Sequence, residues 1–452
     1  MKIVSIVFVL LCCILMFVVK REYKASFLIV GTVLFTLVNV PVLPFHSANK
    51  LLPLAFLLSE LTNLSKLIQS AQNSIVWKLI GIALLMFVIT ILASPHLHDF
   101  SSIRAFFQYE LVFKYFALLY AFGAFSSENS IKPTLRVTLY AMLLLTLFGF
   151  LNLLTKSADF VSAMMAGNDN IIGLGGASSG EAGQIFVDKE RFRVQALFLN
   201  PFDYGYICIL MLLLHLFGFI NNYEKKIEFL IVVICAVFGI IFCGCRTNIF
   251  CALIGVSVFC LLSFKSGKSI RISLISITFL GICYFYIPFI QEIVDNMMTM
   301  FDKKSNVTGS SMELRSLQYA AVLYHVQDNP LFGCGYNYFN IDMGWGLGKE
   351  YLQDKRLAGL EGVVMNYILE RGFVGLFLYF SFYITTFVFF FKNRRYSQKV
   401  VALGISILCV YLTFANMTGE LLSVYPTLLL LGYVLKVIYF NRLNLPSRRE
   451  QG

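Results

Sequence analysis

Residues 310–340 read SSMELRSLQYAAVLYHVQDNPLFGCGYNYFN, a polar island in a chain that is otherwise largely apolar. Ser310 and Glu313 stand at capping-box spacing, where each side chain satisfies a free backbone N–H of a helix's first turn. The spacing predicts a helix from Ser311 to about Gln327 that stops before Pro330. Along it Arg315, Gln318, Val322 and His325 form one stripe, and Leu314, Leu317, Ala321 and Tyr324 face the other way. That is the pattern of an amphipathic helix lying apolar side down on a membrane surface. A charged side chain held beside a bilayer is costly, so it usually has a task there.

Outward from this island the chain turns apolar on both sides, over 272–290 and 363–391. Runs long enough to cross roughly 30 Å of hydrocarbon recur at 3–19, 27–42, 75–93, 105–125, 137–154, 196–220, 229–243, 249–264, 400–416 and 421–440. A thirteenth candidate, 51–68, holds Pro53, Glu60 and Lys66. Composition agrees: 58% of residues are hydrophobic, 13% are charged, and the mean hydropathy is +0.77, whereas a soluble domain carries about 25% charged residues. The expected fold is all-α: a polytopic integral membrane protein with 12–13 transmembrane helices, forming a single membrane domain over 1–452 with no appended soluble domain. The 3–19 run is followed by Lys20-Arg21-Glu22-Tyr23-Lys24 with no small-residue cleavage site, so it is expected as the first membrane helix.

Loop charge sets orientation. Basic residues cluster at 20–24, 132–136, 223–228, 265–271 and 392–399 and in the tail with Arg442, Arg448 and Arg449, and such loops face the cytoplasm. Thirteen helices then alternate and put the N-terminus outside; twelve would need a re-entrant 51–68 segment or an outer 20–24 loop. Either count leaves two long polar segments outside, a first outer loop at 155–195 and a large one at 291–362. The net charge of +11 follows from this topology. Its basic residues lie in short scattered loops, which argues against nucleic acid as a partner.

Most of the eleven cysteines lie in or beside apolar runs, and only Cys334 falls in a long outer loop, so no disulfide framework is expected. Cys243-Gly-Cys245 lacks the second pair a zinc site needs, and no metal is expected. The stretch 167–183, with IIGLGGASSGEAG, lacks the Gly-Lys-Ser/Thr ending of a phosphate loop and reads as an outer loop.

Three arginines reach the outer boundary from distant parts of the chain. Arg315 is on the amphipathic helix. Arg193 precedes Asn200-Pro201 and Asp203, where a span begins. Arg246 sits in a turn between two apolar runs too short to carry it far from the membrane. Arginine is always charged, and its planar fork of donors suits phosphate, so their convergence suggests a diphosphate-bearing ligand. Glu110 and Lys114 are expected to satisfy each other four residues apart on one helix, and mid-span His215 to be a packed, hydrogen-bonded histidine. Glu60 and Lys66 are expected to line a cleft or mark a surface helix.

The ordered set of Arg193 with Asn200-Pro201, the Cys-Arg-Thr turn at 245–247, ELR…NPLFGCGYNYF over 313–339 and MNYILERGFVGLFLYF over 365–380 resembles the O-antigen polymerase and O-antigen ligase superfamily, roughly from Arg191 to Phe391. The resemblance implies a metal-independent, cofactor-free glycosyltransferase of the bacterial inner membrane. It would act at the periplasmic face on glycan carried by undecaprenyl diphosphate, with a chain-length regulator protein as a further partner. It implies that Arg193, Arg246 and Arg315 bind the diphosphate and stabilise its charge as it departs. Ligases of this kind carry a histidine before the Asn of an H-N-x-x-L motif; here Met365 precedes Asn366, which favours polymerase over ligase. The acceptor hydroxyl needs a base, for which Glu361 is the first candidate and His325 the second. A lipid-sugar flippase or transporter is the alternative of another class. It would more often show paired halves and short outer loops, and neither is visible here.

Overall fold

The computed structural model describes residues 2–34, 48–72, 74–95, 97, 100–125, 128–156, 187–188, 191–198, 200–264, 312–344, 351–357, 359–360, 362–420 and 424–443. The expected 272–290 span, Ser310 of the capping box, Glu361 and most of the 155–195 loop lie outside the described residues. Among the described residues, apart from a minimal hairpin, β1 (Val187–Asp188) antiparallel to β2 (Arg191–Phe192), the regular structure is helical. Seven described helices are at least 18 residues long and apolar enough to cross a membrane, and the chain is a polytopic, all-helical membrane protein.

These seven are α5 (Ile75–Ala93), α8 (Ile131–Thr155), α9 (Pro201–Ile220), α11 (Arg246–Ser263), α14 (Val363–Asn393), α15 (Gln398–Thr418) and α16 (Val424–Leu443). The shorter α1 (Lys2–Val18) and α10 (Lys226–Phe242) occupy two more expected spans, and α2 (Arg21–Leu34) covers the described part of the 27–42 run. The run expected at 105–125 starts earlier: α6 (Phe100–Phe107) continues through a π-helical stretch, Gln108–Tyr115, into α7 (Phe116–Ala124). The 51–68 candidate is not one span. It is divided into α3 (Ala48–Ser59) and α4 (Leu64–Gln72) around Glu60, whose carboxylate is held by Lys24 Nζ at 2.8 Å and Arg21 Nε at 3.1 Å. A carboxylate so paired lies at a helix end rather than inside one.

Local chemistry sets the element ends. Asn200 caps α9, its side chain accepting from the Asp203 N–H at 2.8 Å, and Pro201 takes the first helical position, where no N–H is required. On α14 the exposed side chains Phe377, Ile384 and Phe391 recur every seventh residue, an apolar stripe facing away from the bundle. The opposite side buries Tyr379, Phe382 and Tyr383, with Tyr383 against Tyr411 of α15.

Helix pairing sorts the loops. Cys251 of α11 meets the Val410 carbonyl of α15, and Gln398 donates to Leu262 O at 2.6 Å, so these helices run antiparallel. Lys399 Nζ donates to Ile220 O at 2.9 Å, and Ser26 pairs with Thr134 at 3.2 Å. The described basic segments at 20–24, 132–136, 223–228 and 392–399 thereby gather at one end of the bundle, which is called the basic end below; the first two, expected as loops, are the opening turns of α2 and α8. The starts of α9, α11 and α14 and the finish of α15 lie at the other.

Candidate functional site

At that opposite end α14 is broken. Gly372 has φ 62° and ψ −165°, in a region that only glycine enters easily, so α14 is two helical pieces meeting at this residue. The backbone groups freed by the break are taken up by the 330–335 loop. Phe373 N donates to Pro330 O at 2.9 Å and Val374 N to Leu331 O at 3.0 Å. In return Cys334 N donates to Leu369 O at 2.8 Å and Gly335 N to Glu370 O at 3.1 Å. Broken helices at membrane depth need such partners, because lipid supplies none. The approach excludes side chains: a Cβ on Gly372 would stand 2.4 Å from the Leu331 carbonyl, and one on Gly333 would stand 2.6 Å from Gly372 N. The NPLFGCG and LERG segments are thus two halves of one device.

Charges converge on the break. Arg371 donates from both terminal nitrogens to the two oxygens of Glu110, each at 2.9 Å, and its guanidinium lies 4.5 Å from the Tyr367 ring centre. Lys114 donates to Tyr367 Oη at 2.7 Å and to Glu420, which also accepts from Tyr411 Oη. Lys114 is 3.6 Å from Glu110, so the expected Glu110–Lys114 pair is present, with Arg371 and Glu420 joined to it. The planar fork of Arg371 matches a carboxylate at two points, and Lys114 lies between Glu110 and Glu420. Glu370, half-buried, accepts from Asn337 N at 3.0 Å. Lys114, Glu420, Glu110 and Glu370 all lie close enough to act electrostatically on the Tyr109 phenol, which makes these groups one cluster.

The structure lays Arg193 against the turn that precedes Arg246. Val194 N donates to Phe242 O at 2.9 Å, and the Arg193 side chain lies over Gly244, where a Cβ would meet its Cγ at 3.1 Å. Arg246 is the first residue of α11, and Asn248 donates from Nδ2 to Phe202 O at 3.0 Å, tying the start of α11 to the start of α9. Two helix N-termini therefore stand side by side near these arginines, each a positive dipole end that favours anions, and that of α9 already carries the buried Asp203 carboxylate in its first turn.

Arg315 is carried by α12 (Met312–His325) and reaches the last turn of α15, donating to Asn416 O at 3.4 Å and Met417 O at 2.6 Å. That places it at the same end of the bundle as Arg193 and Arg246. The polar stripe of α12 faces the protein: Gln318 and Val322 are fully buried, and Gln318 donates to Gly359 O at 3.2 Å. Leu317 and Tyr324 are exposed as expected for a membrane-facing side, whereas Ala321 is buried.

His325 is engaged on both ring nitrogens, by Asp354 at 3.0 Å and the Tyr338 hydroxyl at 3.5 Å. The Arg356 guanidinium bonded to Asp354 holds that carboxyl well below the usual carboxylate range, with His325 adding to the effect. This arrangement anchors the 351–357 segment to α12. Gly362, next in the chain to Glu361, packs against Asn416, where its Cβ would lie 2.9 Å from the carbonyl that Arg315 binds.

One expectation is met away from this end: His215 is packed as expected, between Glu224 at 2.7 Å and Thr138 at 3.0 Å. Glu60, expected to line a cleft or mark a surface helix, is instead buried at the basic end against Lys24 and Arg21, and of the two only Lys66 is exposed, on α4. Sequence reasoning missed Glu370, Arg371 and Glu420 as a cluster. The available signal was acid and base inside or between apolar runs, which lipid makes costly unless they are paired or used.

Residues 230–380 match the family model described as O-antigen ligase, which supports the resemblance to the O-antigen polymerase and ligase superfamily. The matched stretch holds Arg246, Arg315, the 330–335 loop and the break at Gly372; Arg193 and Glu420 fall outside it. No curated protein matches the chain.

Proposed function

We propose that this chain polymerises oligosaccharide repeat units carried on undecaprenyl diphosphate into O-antigen or a related surface polysaccharide, at the periplasmic face of the bacterial inner membrane. The observation that carries the reading is the packing of Arg193 against the turn at Gly244, two residues before Arg246 at the start of α11, with Arg315 at the same end of the bundle. Guanidinium forks and helix N-termini both favour phosphate oxygens.

In this reading an acceptor sugar hydroxyl attacks the anomeric carbon of the lipid-linked chain. Its oxygen supplies the new C–O bond, the bond to the diphosphate oxygen breaks, and the electron pair leaves with the lipid diphosphate. The arginines hold the charge where it accumulates, and fixed donors of this kind need no reorganisation as the bond breaks. The hydroxyl proton passes to a base, for which the sequence offers Glu361 and His325. Buried Met365 cannot take that proton at the position where the resembling ligases carry histidine, which supports polymerisation over transfer to a lipid A core.

The experiment is the lipopolysaccharide ladder of a deletion strain. A polymerase defect leaves core bearing a single repeat, and complementation restores the ladder. Core with no repeat at all would instead indicate a ligase or a flippase.

A further inference from the structure

Resting on the polymerase reading, we propose that the carboxylate accepting the acceptor's proton is Glu370, at the break in α14. The cluster there holds three carboxylates, Glu110, Glu370 and Glu420, against two cations, Lys114 and Arg371. Two of the acids are committed: Glu110 to both arms of Arg371, and Glu420 to Lys114 and Tyr411. Glu370 is the acid left over. A buried net charge is costly in a low-dielectric setting, so a proton arriving on Glu370 takes the cluster from net negative to neutral. That is the direction in which a base should be driven.

The loop geometry holds Glu370 in place. Asn337 adopts φ 64° and directs its N–H to Glu370 Oε1 at 3.0 Å, and neighbouring Tyr336 N donates to Ser94 Oγ at 2.8 Å. A non-glycine residue in the left-handed region costs free energy and persists where its surroundings enforce it. Glu370 is not fully shut off from solvent, and the step requires the acceptor hydroxyl to reach its carboxylate there. Glu420, which acts with Glu370 on Tyr109, follows three residues after Met417, whose carbonyl Arg315 binds. The cluster therefore continues directly from the arginine end. In the step, the hydroxyl oxygen bonds the anomeric carbon, the lipid diphosphate leaves with the electron pair, and the proton moves to Glu370 and later to water.

Glu370→Gln is the test, because the amide oxygen still accepts from Asn337 N–H and only basicity is lost. Purified variants are given lipid-linked repeat units extracted from cells lacking this chain, and binding of undecaprenyl diphosphate is measured separately. The expected result is a loss of extension of roughly 10²- to 10⁴-fold, with diphosphate binding and melting temperature near wild type. Glu370→Asp should keep a fraction of the rate and an acidic limb in its pH profile, which Glu370→Gln should lack. Extension by Glu370→Gln at the wild-type rate overturns the proposal, and an inactive Glu361→Gln beside it returns the step to Glu361. Loss of diphosphate binding together with extension also overturns it. Diphosphate binding that survives Arg193→Ala and Arg246→Ala would instead remove the reading on which the proposal rests.

Discussion

Arg371 and Glu110, 261 residues apart in the chain, meet through two hydrogen bonds of 2.9 Å with both side chains buried. Removing one partner leaves the other charge buried and unsatisfied, at a cost of about 3–5 kcal/mol. Glu110→Ala and Arg371→Ala should each lower the melting temperature of the detergent-solubilised protein sharply. The Glu110→Leu/Arg371→Met double variant should lose less than the two single losses added together. Single variants that melt like wild type would show that the pair does not hold α14 in place.

The break itself gives a steric prediction. Gly372→Ala and Gly333→Ala would each place a Cβ against backbone atoms at 2.4 and 2.6 Å, both at positive φ. Each should cost more than about 4 kcal/mol, the range of overpacking combined with backbone strain, and should abolish accumulation of folded protein. Gly81→Ala, where nothing lies within 4 Å, should be neutral or slightly stabilising. Equal expression of all three would contradict the threaded geometry.

The spans and the coarse architecture were legible in the sequence because hydrocarbon imposes a length and a composition. The gathering of the basic loops at one end was legible for a similar reason, since charge asymmetry is written residue by residue. The α12 helix and its end near His325 were also legible, from its turn chemistry. What was not legible depends on backbone geometry at a distance. Nothing in LERG announces that Gly372 breaks a helix, or that Pro330 and Leu331 supply the missing acceptors. Glu110 and Lys114 looked like a local pair because i, i+4 spacing is visible in a sequence, whereas Arg371 and Glu420 reach them only through the fold. The split at Glu60 was hidden for the same reason: Lys24 and Arg21 come from another helix.

The arginines separate by chemistry. Arg193→Ala and Arg246→Ala should each weaken binding of undecaprenyl diphosphate at least tenfold, a loss of about 1.4 kcal/mol. Lysine should rescue poorly, since it keeps the charge and loses the fork. Arg315→Ala should reduce extension as well, because it removes a cation from the finish of α15. Normal binding in all three would refute the diphosphate site.

Asp354 gives a pH dependence with a defined sign. Its folded-state pKa is depressed below the ordinary value of 3.8, so the anchor's contribution is present above that value and is lost as pH falls through the lowered one. Amide exchange of residues 351–357 should therefore stay protected down to about pH 4 and increase only in stronger acid. Asp354→Asn should raise exchange at every pH, and His325→Ala should do so more mildly. Unchanged exchange in Asp354→Asn would show that the segment is held by other contacts.

Topology can be checked at exposed positions. Cysteines placed at Tyr351 and Arg395, on opposite sides of α14, should react from opposite faces of the membrane with an impermeant maleimide. Labelling of both from one face would overturn the placement of the arginine end.

The most direct measurement of the central claim uses the purified wild-type chain in vesicles with lipid-linked repeat units as the sole glycan. Lipid-linked products several repeats long are expected, formed with release of undecaprenyl diphosphate and without added lipid A core. No lengthening until lipid A core is supplied, followed by transfer of glycan onto it, would contradict polymerisation and identify the chain as a ligase.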